Sequence, residues 1–351
     1  MDSQTWHDYC VSVPPPPPAA LTAKQWHALS DDDYVMQLEK LEQWLGSLYM
    51  QTPELTAITD SMTRTVRANL YSPPGAKNIV ALTGRNLAGK STLAKRWART
   101  LYREVTKDSR LDDRGRPVYC PREGWEADLC PVVFVDMDGG ARIAVLDGLL
   151  LDFFGLPGGG PVRTLFPSAL QAIQRHKVKV LIIDDAHFIK TAYKDARDVL
   201  DHIKKINTEI GELGATLVLV GADLAEHDVA RDPQIAGRMR FRSFPEYECE
   251  SSSDQQAWQR ILHNLEGRLL PYLPAGKPGM LSMNLAGELW CRTQGYLGDL
   301  KDLVCQATVL ATQDQDHRIS RKHLDAAELS LRAELEEMEN TPSGRRRRVK
   351  I

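Results

Sequence analysis

Nine residues, Gly84-Arg85-Asn86-Leu87-Ala88-Gly89-Lys90-Ser91-Thr92, follow the spacing Gly-x-x-x-x-Gly-Lys-Ser/Thr and concentrate the chemistry of this chain. Glycines at the ends of such a loop let the backbone curl so that successive N–H groups face a phosphate. A helix starting near Lys90 adds its unpaired N-terminal amides and the positive end of its dipole. In that arrangement Lys90 reaches the β- and γ-phosphates of a nucleoside triphosphate, with ATP the expected one, and the Ser91 hydroxyl ligates Mg²⁺. Farther along, Val180-Leu181-Ile182-Ile183-Asp184-Asp185 reads as a buried strand ending in two carboxylates. Ligands of open α/β sheets bind at the carboxyl ends of strands, so both acids should face the loop. Asp184 is then the second Mg²⁺ ligand, commonly through water, because the ion prefers hard oxygen donors. Asp185 would orient or deprotonate the attacking water. An Asp pair at a strand end can also cap the next helix.

The elements around these residues must hold them in place. The apolar run Ile79–Leu82 leads into the loop, and Leu93–Glu104 suits a helix after it. Further strands are expected at Val132–Val135, Val178–Ile183 and Leu217–Val220, with helices over Ile143–Phe154 and around Pro167–His176. Strands alternating with helices imply a mostly parallel sheet covered on both faces. Residues 106–130 are polar and turn-rich; Cys120 and Cys130 there could close a small hairpin or supply half a zinc site, but no matching pair completes one. Strand signals stop at Ser251, where Ser253 with Gln256 resembles a capping box and helical patterns run to about residue 338. Ahead of the core, Pro14–Pro18 make residues 1–20 a disordered or polyproline arm. A helix capped by Ser30 or Asp31 follows, with Val35, Leu38, Leu41, Leu45 and Leu48 on one face. Pro53 opens another, which Pro73-Pro74-Gly75 ends. The expected division is an arm over 1–20, a helical extension over 21–75, a nucleotide-binding domain over 76–248, a helical lid over 249–338 and a basic tail over 339–351.

With 351 residues and 42% hydrophobic content, the chain suits two domains with a sizeable core. Its formal net charge of −3 hides an acidic Asp31-Asp32-Asp33 and a basic Arg345-Arg346-Arg347-Arg348-Val349-Lys350. Overall charge thus does not announce a nucleic-acid binder, although the tail could bind DNA or an acidic partner, or remain solvated. Six scattered cysteines without a CxxC pair fit reduced thiols in the cytoplasm. Neither a signal peptide nor an apolar run of about 18 residues is visible, so no membrane partner is expected.

The phosphate loop, the strand ending in Asp184-Asp185, the later strand ending Gly221-Ala222-Asp223 and the helical C-terminal region together resemble an AAA+ ATPase. Within that superfamily the chain is similar to the TniB/TnsC transposition ATPases. The residues that carry this are Asp184-Asp185-Ala186-His187, the segment Val145–Pro157, the segment Pro233–Arg238, and Gly295-Tyr296-Leu297-Gly298-Asp299-Leu300. The likeness spans roughly residues 50–335. It implies a P-loop AAA+ core of α/β class with a C-terminal α-helical lid, and hydrolysis at a subunit interface where a neighbour's arginine meets the γ-phosphate. Arg238 is the first choice for that arginine, with Arg240 and Arg242 as substitutes and a surface salt-bridging strand edge as the alternative. Asp223 falls where such proteins place a polar sensor, and Lys301 where a second sensor touches phosphate; a solvated helix lysine would look the same.

The resemblance further implies a homo-oligomer, ring or filament, that binds double-stranded DNA without sequence specificity and connects a transposase with a target-selection protein. Arg142 and Arg163 are the DNA-facing candidates. Two departures from the superfamily pattern point to slow turnover. Leu87 stands where many relatives have glycine, and Asp185 replaces the usual glutamate, one methylene shorter. Rival readings are another nucleic-acid AAA+ machine, such as a helicase loader or initiator, and a signalling or defence switch that does not bind DNA.

Overall fold

The structure, a computed structural model, describes residues 1–137, 143–158, 161–188, 196–226 and 228–339. Its central sheet holds β1 (Ile79–Gly84), β5 (Val132–Asp136), β6 (Val180–Asp184), β7 (Thr216–Ala222) and β8 (Met239–Ser243). The strand order is β5-β6-β7-β1-β8, and every neighbouring pair is parallel. Val80, Leu82, Val133, Leu181, Ile182 and Leu219 are fully buried. Such unbroken apolar runs are what a parallel sheet requires when helices cover it. Strands β5, β6 and β7 step inward from one edge to β1, and β8 is added on its other side. The carboxyl end of β1 therefore lies where the strand order reverses, the usual ligand crevice of such sheets.

Residues 106–130 are more ordered than their polarity suggests. They form β2 (Arg110–Leu111), β3 (Pro117–Arg122) and β4 (Trp125–Asp128), a separate antiparallel sheet. The strands are short and largely exposed, so they lack the apolar alternation that would announce them. The first turn is pinned by the Asp112 carboxylate, which accepts from the amides of Arg114 and Arg116 at 2.9 and 2.8 Å. Those bonds, the Arg116 amide foremost, hold Asp112 below the usual carboxylate range. The helix expected around Pro167 spans Val162–Arg175 with Pro167 inside it. Burial of Leu165, Phe166, Ala169 and Ile173 on both sides of the proline outweighs one lost backbone bond.

The expectation of a disordered arm over 1–20 is corrected at its start, where Ser3–Val11 is a helix. Asp2 caps it, accepting from the Thr5 amide at 2.8 Å. Trp6 and Cys10 are fully buried, and Trp6 stacks on Phe134 of β5 with centroids 5.4 Å apart. Arg99 and Arg103, on the helix Lys90–Thr106 that follows the phosphate loop, donate to the Cys10 carbonyl at 3.1 and 2.5 Å. Cationic donors on the last carbonyls of a helix are favourable electrostatically. One tryptophan facing the sheet, not the proline run that follows, decides the structure of these residues.

The chain divides into two compact units, Met1–Ser12 with Pro53–Pro245, and Val13–Thr52 with the chain from Glu246. Residues 21–52 thus join the helical unit, whereas the expected extension ran on to residue 75. Its helices include Asp31–Gly46, Ser252–Leu269, Ala286–Thr293 and Leu297–Gln313. Among the described residues this unit contains no strand. Trp258, Leu262, Leu289, Leu300 and Leu303 are buried in its core. In Asp31–Gly46 the buried face holds Leu41, Trp44 and Leu45, while Val35 is exposed. The capping box of Ser252–Leu269 begins two residues earlier than its sequence signal. Ser251 Oγ accepts from the Asp254 amide, and Asp254 accepts from the Ser251 amide at 2.9 Å. All six cysteines are free thiols. No helix among the described residues is long and apolar enough to cross a membrane.

Candidate nucleotide-binding and hydrolysis site

The nine-residue loop leaves β1 at Gly84 and enters the helix Lys90–Thr106. Gly84 has φ +148° and Gly89 φ +110°, both in the region that favours glycine. A Cβ on Gly84 would lie 2.9 Å from Cβ of Phe244, and one on Gly89 would lie 3.4 Å from that ring. Phe244, the residue after β8, is buried and donates its amide to the Thr83 carbonyl at 2.7 Å. Phe244 therefore backs both loop glycines, Gly84 through its Cβ and backbone and Gly89 through its ring, a support the sequence offered no pattern to find. Arg85, Asn86 and Leu87 are exposed at the crest, Ala88 is buried, and Thr92 is exposed in the first helical turn. Leu87 has φ +61°. The backbone there takes a glycine-like conformation even though a leucine must adopt it.

Lys90 is buried, and its Nζ donates to the Arg85 carbonyl across the loop at 2.6 Å. Burial pulls its ammonium below the ordinary lysine value, against the opposing pull of Asp184, Asp185 and Asp223. Asp184 ends β6, is buried, and accepts from the Asp185 amide at 3.0 Å and from the Ser91 hydroxyl. Burial pushes its carboxyl above the usual range, opposed by those two hydrogen bonds; Asp136 and Asp185 add to the rise. A buried lysine, a serine hydroxyl and a desolvated carboxylate thus converge at the carboxyl ends of β1 and β6. A triphosphate and a hard cation fit this set. The cation would relieve the acids, and the phosphates would take the ammonium that now bonds a loop carbonyl.

The tertiary structure adds Asp136 to the group. It pairs in register with Asp184 across β5 and β6. The signal was present, because Val132-Val133-Phe134-Val135-Asp136 ends in an acid as β6 does. Asp185 follows with φ +50°, and Asp223, after β7, has φ +46°. The Leu224 amide donates to Thr83 Oγ1 at 2.9 Å, which pins the end of β7 to the residue before the phosphate loop.

Arg238 occupies the opposite end of the sheet. Met239 pairs with Ile79, so Arg238 stands level with Asn78. Six strand residues at ~3.3 Å each put it about 20 Å from Gly84 of its own chain. It is exposed and donates to the Gln234 carbonyl at 3.1 Å, at the end of the short helix Pro233–Ala236. Arg240 and Arg242 follow along edge strand β8, and burial with the nearby charges of Arg64 and Arg240 pulls the Arg242 value down. In the helical unit Lys301 donates to the Gly46 carbonyl at 3.1 Å. Asp299, from the Gly298-Asp299-Leu300 segment, accepts from Ser330 Oγ at 2.8 Å and is ion-paired with Arg332. Arg163 is exposed on the helix Val162–Arg175; Arg142 lies outside the described residues, as does the tail over 340–351.

A five-stranded parallel sheet in this order, a phosphate loop after β1 and a C-terminal helical unit define an AAA+ ATPase fold. The solved structure of Cdc6p from Pyrobaculum aerophilum is similar at a TM-score of 0.51 and 18% identity, over 78% of this chain and 67% of that one. Drosophila ORC bound to DNA is similar at 0.50 and 13%, over 87% and 69%. At such identities the likeness speaks for the fold. Residues 40–249, more than half of the chain, match the family model described as the bacterial TniB protein, and the chain belongs to that TniB family. No curated protein matches the sequence.

Proposed function

We propose that this chain is an ATP-dependent AAA+ regulator of transposition. It assembles in the cytoplasm as a ring or filament on duplex DNA and links that DNA and a target-selection protein to a transposase. The observation that carries the nucleotide reading is the convergence of Lys90, Ser91, Asp184 and Asp185 at the carboxyl ends of β1 and β6. Support for the DNA and transposition parts comes from membership of the TniB family. Exposed Arg163 is the described candidate for a phosphate contact, which would make binding strongly salt-dependent.

In this reading the loop amides and Lys90 hold the β- and γ-phosphates, while Ser91 and Asp184 offer the oxygen ligands for Mg²⁺. A bound Mg²⁺ supplies charge neutralisation on the phosphate oxygens. Asp185 accepts a hydrogen bond from a water aligned with the γ-phosphorus. As the water oxygen bonds to phosphorus, the bond to the β,γ-bridging oxygen breaks, and the water's proton passes to Asp185 and on to the released phosphate. Arg238 is too far from its own loop to assist, so it serves the site of a second copy. Hydrolysis is slow, because the short reach of Asp185 displaces the water and misplacement near 1 Å costs about 10²-fold.

Filter binding of the full chain to duplex DNA at low salt, with and without a non-hydrolysable ATP analogue, tests the proposal. A complex that requires the analogue and is absent with Lys90→Ala is the expected result. Equal DNA retention with and without nucleotide, or none at all, would overturn it.

A further inference from the structure

His187 lies outside the roles assigned so far, yet it sits where the two halves of the site meet. It belongs to the single 3₁₀ turn Ala186–Phe188, directly after Asp185. Its Nδ1 accepts from the Ala222 amide of β7 at 3.4 Å and lies 3.7 Å from Asp185 Oδ1. The imidazole also packs at a tilt against Phe188, with centroids 4.3 Å apart. Gly221 makes this approach possible. A Cβ there would lie 3.0 Å from the His187 amide nitrogen and 2.9 Å from Leu224 Cδ2. Next to Ala222 in sequence is Asp223, and Leu224 is tied to Thr83 at the base of the phosphate loop. An unbroken path thus runs from the loop through the end of β7 and the His187 ring to the Asp185 carboxylate.

We propose that His187 is a positioning residue that couples the end of β7 to Asp185, setting whether that carboxylate is available to the attacking water. The proposal rests on the reading of Asp185 as the water-activating base. One ring nitrogen cannot accept from Ala222 and donate to Asp185 at once. While Nδ1 accepts from the Ala222 amide, the ring proton is on Nε2, and Nδ1 has no proton to donate to the carboxylate. No hydrogen bond then ties Asp185 Oδ1 to the ring, in keeping with the 3.7 Å separation. If the end of β7 shifts and the Ala222 amide withdraws, Nδ1 is free to take a solvent proton as Nε2 releases one. Nδ1–H then donates to Asp185 and occupies the lone pair that water needs. The end of β7 carries Asp223 beside Lys90, so the state of the phosphate end of the site reaches the base through one side chain.

The test uses the full chain with Mg²⁺, ATP and duplex DNA, and three variants. His187→Phe keeps a ring against Phe188 and removes Nδ1. His187→Asn places an amide oxygen near the Nδ1 position, where it can accept from Ala222. Asp185→Asn removes the base itself. In His187→Phe, which has no Nδ1 to occupy Asp185, kcat is expected to rise by about twofold or more as the blocked population is lost, while Kd for ATP changes less than twofold. Hydrogen exchange of the Thr216–Ala222 amides in the nucleotide-free protein should quicken in the same variant. His187→Asn, whose amide can accept from Ala222 or turn to donate to Asp185, should restore slow exchange and return kcat toward the parent value. With Asp185→Asn inactive, a wild-type or lower kcat in His187→Phe overturns the proposal, as does turnover in His187→Asn equal to that of His187→Phe. Wild-type turnover by Asp185→Asn would instead overturn the reading of Asp185 beneath it.

Discussion

Leu87 offers a direct way to weigh the phosphate loop. Its φ of +61° puts an L-residue in the left-handed region, at a cost of roughly 1–2 kcal/mol from the contact of Cβ with the following carbonyl. The side chain is 73% exposed, so little apolar burial offsets that cost. Leu87→Gly removes the contact but increases the freedom of the unfolded chain, which costs about 0.5–1 kcal/mol. The balance is a stabilisation of about 0.5–1 kcal/mol. Leu87→Ala keeps a Cβ at the same φ and loses almost no packing, so it should melt within a few tenths of a kcal/mol of the parent. Leu87→Val adds a β-branch in the left-handed region and should be destabilised. Denaturant or thermal melts of the nucleotide-free protein give the order Gly, then Leu with Ala, then Val. Titration with a fluorescent ATP analogue should follow the same order, because a loop already at positive φ binds without paying to reach it. If Ala matches Gly, the side chain and not the backbone sets the cost. If Gly is the least stable, the loop does not hold residue 87 at positive φ, and the argument fails.

Other consequences can be measured separately. Trp6→Ala leaves a hole against Phe134 and should destabilise the unit containing the sheet by about 3–5 kcal/mol, seen as an earlier denaturant transition. The raised Asp184 carboxyl binds its proton more tightly when folded than unfolded, so its ionisation costs stability above the folded value, and the cost fades as pH falls through it. Asp184→Asn should therefore melt higher than the parent near pH 7 without nucleotide, by a margin that shrinks on acidification, while losing Mg²⁺-dependent ATP binding; a margin that grows at acid pH would contradict this. Arg238→Ala should lower turnover by about 10³–10⁵ without weakening ATP binding, the range of trans arginines in phosphoryl transfer. Mixing it with Lys90→Ala should restore activity, since each variant supplies what the other lacks, and an inert mixture would argue against a shared site.

Much of the site could be read along the chain because its parts are local. The loop from Gly84 to Thr92 is contiguous, its glycines are required by backbone conformation, and Lys90 and Ser91 open the helix that follows. Asp184 and Asp185 ended an apolar run too hydrophobic for any place but the sheet interior. Asp136 ends an equivalent run, but only the pairing of β5 with β6 shows that it faces Asp184. Strands β2 to β4 carry no sequence signal because short, exposed strands have no buried face to impose alternation. The proline run concealed the helix before it, whose stability rests on Trp6 meeting Phe134 from a distant part of the chain.

A triphosphate loop, a paired carboxylate and an alternation of strands and helices follow from residue type and spacing, because backbone curvature and hydrophobic period act over a few residues. Strand order is not encoded at that range. The partners of β1 are fixed by packing across more than a hundred residues, from Val80 beside Val218 to Ile79 beside Met239. That packing places Lys90 by Asp184, sends Arg238 to the far end of the sheet, sets Phe244 beneath the glycines and stands His187 between Asp185 and Ala222. Each of these contacts joins segments that the sequence keeps apart, and only burial of one shared core brings them together.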